Sequence, residues 1–288
     1  MDKIKIIAHF GVAFFDKVLV DLDKYATLWG LSNFEQIDYY SANCLFTCVS
    51  MKHGLCILKI SPHLKETMTE YTMLKDFDGN SLCRVYEADV ANGILLIERI
   101  MPGTQLRNEP NINTRLDVFC QLFRGLHKPP TNKIKYPTYM DWVSRIATYM
   151  RTRTDFKDMS EKMTNAEEIC HYLWRKYTGE MLLHGDLHHD NILLSEHGYR
   201  IIDPKGVVGD SVFDIPRFIL NEDNLDKNDN FAYIVHTLTE KLYVSEQDIR
   251  LLFYVEMCMA NSWNVESNSE IDWDDVLFAE SMMKITIF

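Results

Sequence analysis

No uncharged apolar run in these 288 residues approaches the roughly 18 residues that a membrane-spanning helix needs. Basic residues are in deficit, 30 Lys and Arg against 42 Asp and Glu, and the net charge of −12 offers no basic stripe to a nucleic acid. The same balance suits a partner carrying positive charge, although a solvated acidic surface has the same composition. The seven cysteines, at 44, 48, 56, 83, 120, 170 and 258, are odd in number and scattered, so they form no disulfide framework. Cys44 and Cys48 lack the second ligand pair that zinc would need. Reduced core thiols of a cytoplasmic protein are the better reading. The first twenty residues show no small-residue cleavage site and read as a folded helix rather than a signal peptide. Internal repeats and low-complexity linkers are also absent. With 47% hydrophobic and 25% charged residues, what remains is a globular chain of one or two domains with a sizeable core.

Its chemistry is concentrated in residues 181–214, MLLHGDLHHDNILLSEHGYRIIDPKGVVGDSVFD. Two short apolar runs around Glu196-His197-Gly198 predict a hairpin. Its ends would bring Asn191 and Asp203 together, beside a loop presenting Asp186. Phosphoryl transfer from a nucleotide needs such a set of oxygens. One carboxylate must take the acceptor hydroxyl proton, and an amide oxygen and a second carboxylate must hold Mg²⁺, which prefers hard ligands. His-x-Asp-x-x-x-x-Asn with a later Asp opening a turn is the kinase catalytic-loop pattern, with Gly185 where protein kinases carry Arg. Asp186 is therefore assigned as base, and Asn191 and Asp203 as metal ligands. Either half alone could be ordinary turn chemistry; both in this order are not.

Upstream, helical spacing of Phe14, Val18, Leu22, Tyr25 and Leu28 predicts a lead helix over 12–30, capped by Gly30. Strands follow at Ile37-Asp38-Tyr39-Tyr40, Leu45–Ser50 and Leu55–Ile60. Lys59 in the third is costly to bury unpaired. A helix starting at Pro62 offers Glu70 as its partner, with Glu66 as the fallback. The loop Ser41-Ala42-Asn43-Cys44 has no glycine, which argues against the lid of a protein kinase. Two more strands, with a turn at Asn92-Gly93, complete a five-stranded sheet that ends at Glu98-Arg99-Ile100. Backbone groups of Glu98 and Ile100 would read an adenine edge there. Helices follow over 112–127, 141–149, 166–177, 214–220, 231–242 and 246–259, and Trp263 and Trp273 lie beyond them among Glu266, Glu270, Asp272, Asp274 and Asp275. Those tryptophans suit either an acceptor wall or the core, and the acids either a cation anchor or a solvated face.

On these residues the chain resembles the aminoglycoside phosphotransferase branch of the kinase-like fold. More narrowly it is similar to the streptomycin 6-kinase and hydroxyurea phosphotransferase family of antibiotic resistance kinases. The narrower likeness rests on LHGDLHHDNIL, IDPKGVVGD with Phe213-Asp214 following, LLIERIMPGTQL, and the helix end Leu28-Trp29-Gly30-Leu31, and it spans nearly the whole chain. It implies an α+β, protein-kinase-like bilobal fold. Residues 1–100 would be an N-lobe with an antiparallel sheet and one helix that binds ATP. Residues 101–288 would be a mainly helical C-lobe with the catalytic loop and the acceptor region. The implied activity is ATP- and Mg²⁺-dependent phosphorylation of a small-molecule hydroxyl, with Lys59 on the phosphates. Asp210 and Asp214 would brace the loop through backbone N–H bonds, the alternative being a helix N-cap at Asp210 or Ser211, and Lys205 would neutralise phosphate charge or lie in solvent. A nucleotide-binding module without turnover and a kinase for another small alcohol are the competing readings.

Overall fold

A computed structural model describes residues 1–37, 42–132, 136–222 and 228–283. The N-terminal apolar spacing forms two helices, α1 (Lys3–Phe10) and α2 (Val12–Trp29), and Gly30 ends the second in the left-handed conformation with its N–H on the Ala26 carbonyl. Phe14, Val18 and Tyr25 are buried as expected, but Leu28 is 62% exposed. The inward position of the last turn belongs instead to Trp29, four residues past Tyr25 and 4.5 Å from its ring, because the helical period carries the stripe to i+4 there.

The first strand, β1 (Leu31–Gln36), starts directly after the Gly30 cap, earlier than the sequence suggests. The strand read at Asp38, Tyr39 and Tyr40, and Ser41 of the following loop, lie outside the described residues. With β2 (Cys44–Ser50), β3 (Gly54–Ile60), β4 (Val85–Asp89) and β5 (Ile94–Glu98) it forms an antiparallel sheet of order β1-β2-β3-β5-β4. Phe46, Cys48, Cys56, Leu58, Ile60 and Leu96 pack on Phe14, Phe15, Val18 and Tyr25. Since side chains alternate along a strand, Lys59 faces the opposite side from Leu58 and Ile60. Helix α3 (Leu64–Phe77) follows β3, starting two residues after Pro62.

The chain divides into two units, residues 1–104 with 193–202, and residues 105–192 with 203–288. In the first unit, β8 (Ile192–Ser195) and β9 (Gly198–Ile201) form the expected hairpin, and β6 (Pro102–Gln105) pairs beside β8. The second unit is mainly helical: α4 (Ile112–Leu126), α5 (Tyr139–Thr152), α6 (Lys157–Lys176), α7 (Ile215–Leu220), α8 (Asn228–Leu242), α9 (Glu246–Glu266) and α10 (Trp273–Met283). A two-stranded ladder of β7 (Met181–Leu183) and β10 (Val207–Gly209) lies within it. Helix α6 starts nine residues before the expected 166, because Met159 and Met163 extend its buried stripe. Helix α9 runs past Met259 to Glu266 and carries Trp263, and α10 begins at Trp273, so the acidic tail is helical on either side of residues 267–272.

All seven cysteines are free and buried. Burial pushes the Cys48 and Cys83 thiols up to about 12, which leaves them protonated core groups. Among the described residues no helix is long and apolar enough to cross a membrane.

Candidate active site

In the first unit, Lys59 Nζ lies 2.7 Å from Glu70 Oε2, and both side chains are 6% exposed. Glu66, one turn earlier on α3, is exposed, so the helix turns Glu70 inward and leaves the fallback in solvent. A lysine among apolar strand neighbours is tolerated here because its charge is matched at contact distance. Glu98 closes β5 with its N–H on the Arg84 carbonyl at 2.8 Å. Its carboxylate accepts from the Arg84 amide at 2.9 Å and from Arg200 at 3.2 Å, so the side chain ties the sheet end to β9. Any backbone contact from Glu98 to a ligand must therefore use its carbonyl. Ile100 buries its side chain two residues on.

In the second unit, β7 delivers His184-Gly185-Asp186 into a loop held from behind. Asp214, 1% exposed, accepts the His184 amide at 2.7 Å and the Gly185 amide at 2.8 Å, one on each carboxylate oxygen. Bracing, rather than capping, is its role. Asp210 caps the turn at Val212 at 3.2 Å and accepts the Gly179 amide at 2.9 Å, ahead of β7 rather than in the loop. His127, at the end of α4, places Nε2 2.9 Å from Asp214 and Nδ1 3.0 Å from the Phe123 carbonyl. Gly185 has φ 77, and a Cβ there would meet the Trp142 ring at 2.7 Å, so the loop lies against that indole only because glycine occupies the position.

Asp186 is then surrounded by positive charge. Its Oδ1 is 3.5 Å from Arg217 Nε and 3.7 Å from His188 Nε2, and its Oδ2 is 3.9 Å from Lys205 Nζ. Burial alone would raise its pKa, but Arg217 and Lys205 outweigh that and hold the carboxyl below the usual range. Burial lowers His188 to about 4, so this imidazole is neutral and Arg217 and Lys205 are the standing cations. Asn191, in a turn at His189–Asn191, donates its amide nitrogen to the Asp186 carbonyl at 2.9 Å. That leaves its Oδ1 as the oxygen for a ligand.

Asp203 follows β9 in the left-handed conformation, φ 56, with its carboxylate 2.8 Å from Lys205 Nζ. Lys205 therefore does not lie free in solvent. Its ammonium, 2.8 Å from Asp203 and 3.9 Å from Asp186, marks a spot where the two carboxylates favour positive charge. A carboxylate and an amide oxygen are hard donors, and the donor set fits Mg²⁺.

The tail residues separate. Trp263 meets Trp142 edge-on, ring centroids 6.4 Å apart, and lies 5.4 Å from the Arg217 guanidinium, which places it on the side of Asp186. Trp273, 38% exposed, instead lines a groove of about 740 Å³ with Arg153, Phe156, Val265 and Glu270. Neither is a fully buried core residue. Glu266 is held by Arg145 at 2.6 and 3.0 Å. Sequence reading missed His127 and Arg217. A histidine closing a helix before Pro129-Pro130, and an arginine three residues after Asp214 on the same helical face, were the available signals.

A model of the family described as aminoglycoside/hydroxyurea antibiotic resistance kinase matches residues 34–267. Streptomycin 3''-kinase of Klebsiella pneumoniae is 25% identical over 183 residues, covering 60% of this chain and 64% of that protein. Streptomycin 6-kinase of Streptomyces griseus is 25% identical over 162 residues, covering 55% and 52%. The chain thus spans between about half and two thirds of the length of these relatives. Among solved structures, choline kinase LicA of Streptococcus pneumoniae superposes with a TM-score of 0.66 at 16% identity, covering 94% of this chain and 98% of that one. Aminoglycoside phosphotransferase APH(4)-Ia follows it with 0.62 at 14% identity, covering 92% and 97%. At such identities the shared feature is the kinase-like fold.

Proposed function

This chain belongs to the aminoglycoside/hydroxyurea antibiotic resistance kinase family, and we propose that it transfers the terminal phosphoryl group of ATP to a hydroxyl of a small molecule, of the streptomycin or hydroxyurea type. The observation that carries the proposal is Asp186: an ionised carboxylate on a loop whose backbone is clamped by Asp214. Asp186 accepts the proton of the acceptor hydroxyl and orients its oxygen toward the γ-phosphorus. The new O–P bond forms as the bond to ADP breaks, and in so loose a transition state the orienting role is the larger. Lys59, steadied by Glu70, holds nucleotide phosphates, and backbone groups of Glu98 and Ile100 hold the base. The first unit would thus be the nucleotide-holding part and the second would carry the base and the acceptor. Asn191 and Asp203 would hold Mg²⁺, which when bound neutralises phosphate charge. The seven buried free thiols agree with a cytoplasmic setting, where ATP is abundant.

A kinase for another small alcohol is the second reading. It is favoured by the pairing of Glu266 with Arg145, which removes one acid from the anchors open to a cationic acceptor. An ATP-consumption screen over aminoglycosides, hydroxyurea, amino alcohols and neutral sugars decides between them. Asp186→Asn should lower kcat by at least about 100-fold with ATP affinity unchanged, whereas Asp203→Ala should weaken ATP binding only when Mg²⁺ is present. Magnesium-dependent ATP binding without turnover of any acceptor would leave a nucleotide-binding module.

A further inference from the structure

Tyr139, Glu256 and Arg217, from α5, α9 and α7, form a series of side chains that ends on Asp186. The Tyr139 hydroxyl donates to Glu256 Oε2 at 2.8 Å, and Arg217 Nη2 lies 2.6 Å from Oε1. Tyr139 and Glu256 are each 2% exposed. Nε of the same guanidinium lies 3.5 Å from Asp186 Oδ1. We propose that Arg217 is a positioning residue of the phosphotransfer reaction: it fixes the rotation of the Asp186 carboxylate so that Oδ2 meets the acceptor hydroxyl. This rests on the reading of Asp186 as base.

A guanidinium is planar and its donors are fixed relative to one another, so anchoring Nη2 to a buried carboxylate also fixes where Nε stands. The Trp263 ring, its centre 5.4 Å from the guanidinium carbon, attracts the same cation. Rotation of the Asp186 side chain would take Oδ1 away from this cation, which holds that oxygen in place and leaves Oδ2 toward Lys205. At 3.5 Å the contact is ionic rather than a formed hydrogen bond, and Nε is buried with no acceptor of its own among the described residues. A buried donor left unsatisfied beside a catalytic carboxylate fits a contact that closes only in the loaded enzyme, as catalytic hydrogen bonds often do. Placement agrees with this. Arg217 lies three residues after Asp214, so one short segment holds both the backbone of the base loop and the carboxylate it carries.

The competing explanation is that Arg217 only neutralises Glu256. The double variant Arg217→Met/Glu256→Gln separates the two, because it removes the buried charges together and keeps an acceptor for Tyr139. Replacing a buried pair with uncharged groups is often tolerated, so ATP affinity and thermal midpoint should stay near wild type. A misplaced catalytic group costs on the order of 100-fold, and kcat should fall by about that factor with a smaller change in acceptor KM. Arg217→Lys keeps the charge without the fork and should remain at least about tenfold down in kcat; it also decides the matter if the double variant does not fold. A wild-type kcat in either variant would overturn the role of Arg217 while leaving the phosphotransfer reading intact. A wild-type protein that phosphorylates no acceptor in the screen overturns both.

Discussion

Lys59 shows what a single buried residue demands of its surroundings. It is only 4% exposed within β3, where an unmatched ammonium would be expelled or neutralised, and Glu70 at 2.7 Å removes that penalty. Breaking such a pair from one side leaves the other charge stranded, at about 3–5 kcal/mol. Lys59→Met should therefore destabilise the fold by roughly that amount in chemical denaturation. Lys59→Met/Glu70→Leu should recover most of the loss, while ATP affinity stays low in both. A double variant that bound ATP like wild type would assign Lys59 to structure alone.

At the level of elements, the loop carrying Asp186 is shaped by what stands behind it rather than by its own sequence. The two amides that precede Asp186 point into one carboxylate, Asp214, and that carboxylate also meets His127 from α4. Asp214→Ala would leave both amides without an acceptor, and hydrogen bonds to charged groups contribute about 1.5–3 kcal/mol each. Calorimetry should show a loss near 3 kcal/mol or more, and steady-state kinetics a drop in kcat larger than the drop in ATP affinity. Asp210→Ala removes contacts to the Gly179 and Val212 amides and the Ser211 hydroxyl, none of them in the loop at Asp186, and should cost less in both measurements. Equal effects from the two variants would mean that Asp214 does not shape that loop specifically.

At the level of the molecule, several helices are joined by carboxylates whose pKa values lie below the ordinary range. Burial would push Glu222, Asp190 and Asp248 up, but His189 and Arg115, Arg107, and Lys176 respectively outweigh it. A carboxylate with a depressed folded-state pKa adds stability that is fully present above its unfolded value and is lost as pH falls through the folded one. Glu256 is shifted the other way by burial and opposes this slope. The thermal midpoint should therefore hold between about pH 5 and 7 and fall as pH drops through about 4. Glu222→Gln should have a shallower acid limb. An acid limb unchanged in that variant would show that Glu222 does not carry the effect.

What the sequence determined by itself is what short-range physics encodes. Strand alternation places Lys59 on the face opposite Leu58, helical period brings Glu70 inward, Gly30 ends a helix, and the spacing from Asp186 through Asn191 to Asp203 brackets a hairpin. Each depends on backbone geometry within a few residues. Tertiary structure alone decided that Asp214 braces the loop ahead of Asp186, that Trp263 and not Trp273 approaches Arg217 beside Asp186, and that Arg217 joins Glu256 to Asp186. Tyr139 and Glu256 meet across 117 residues of sequence, where no local periodicity reaches. Burial is what makes those partners find each other, because a charge removed from water must be matched by whichever group the packed helices bring within reach.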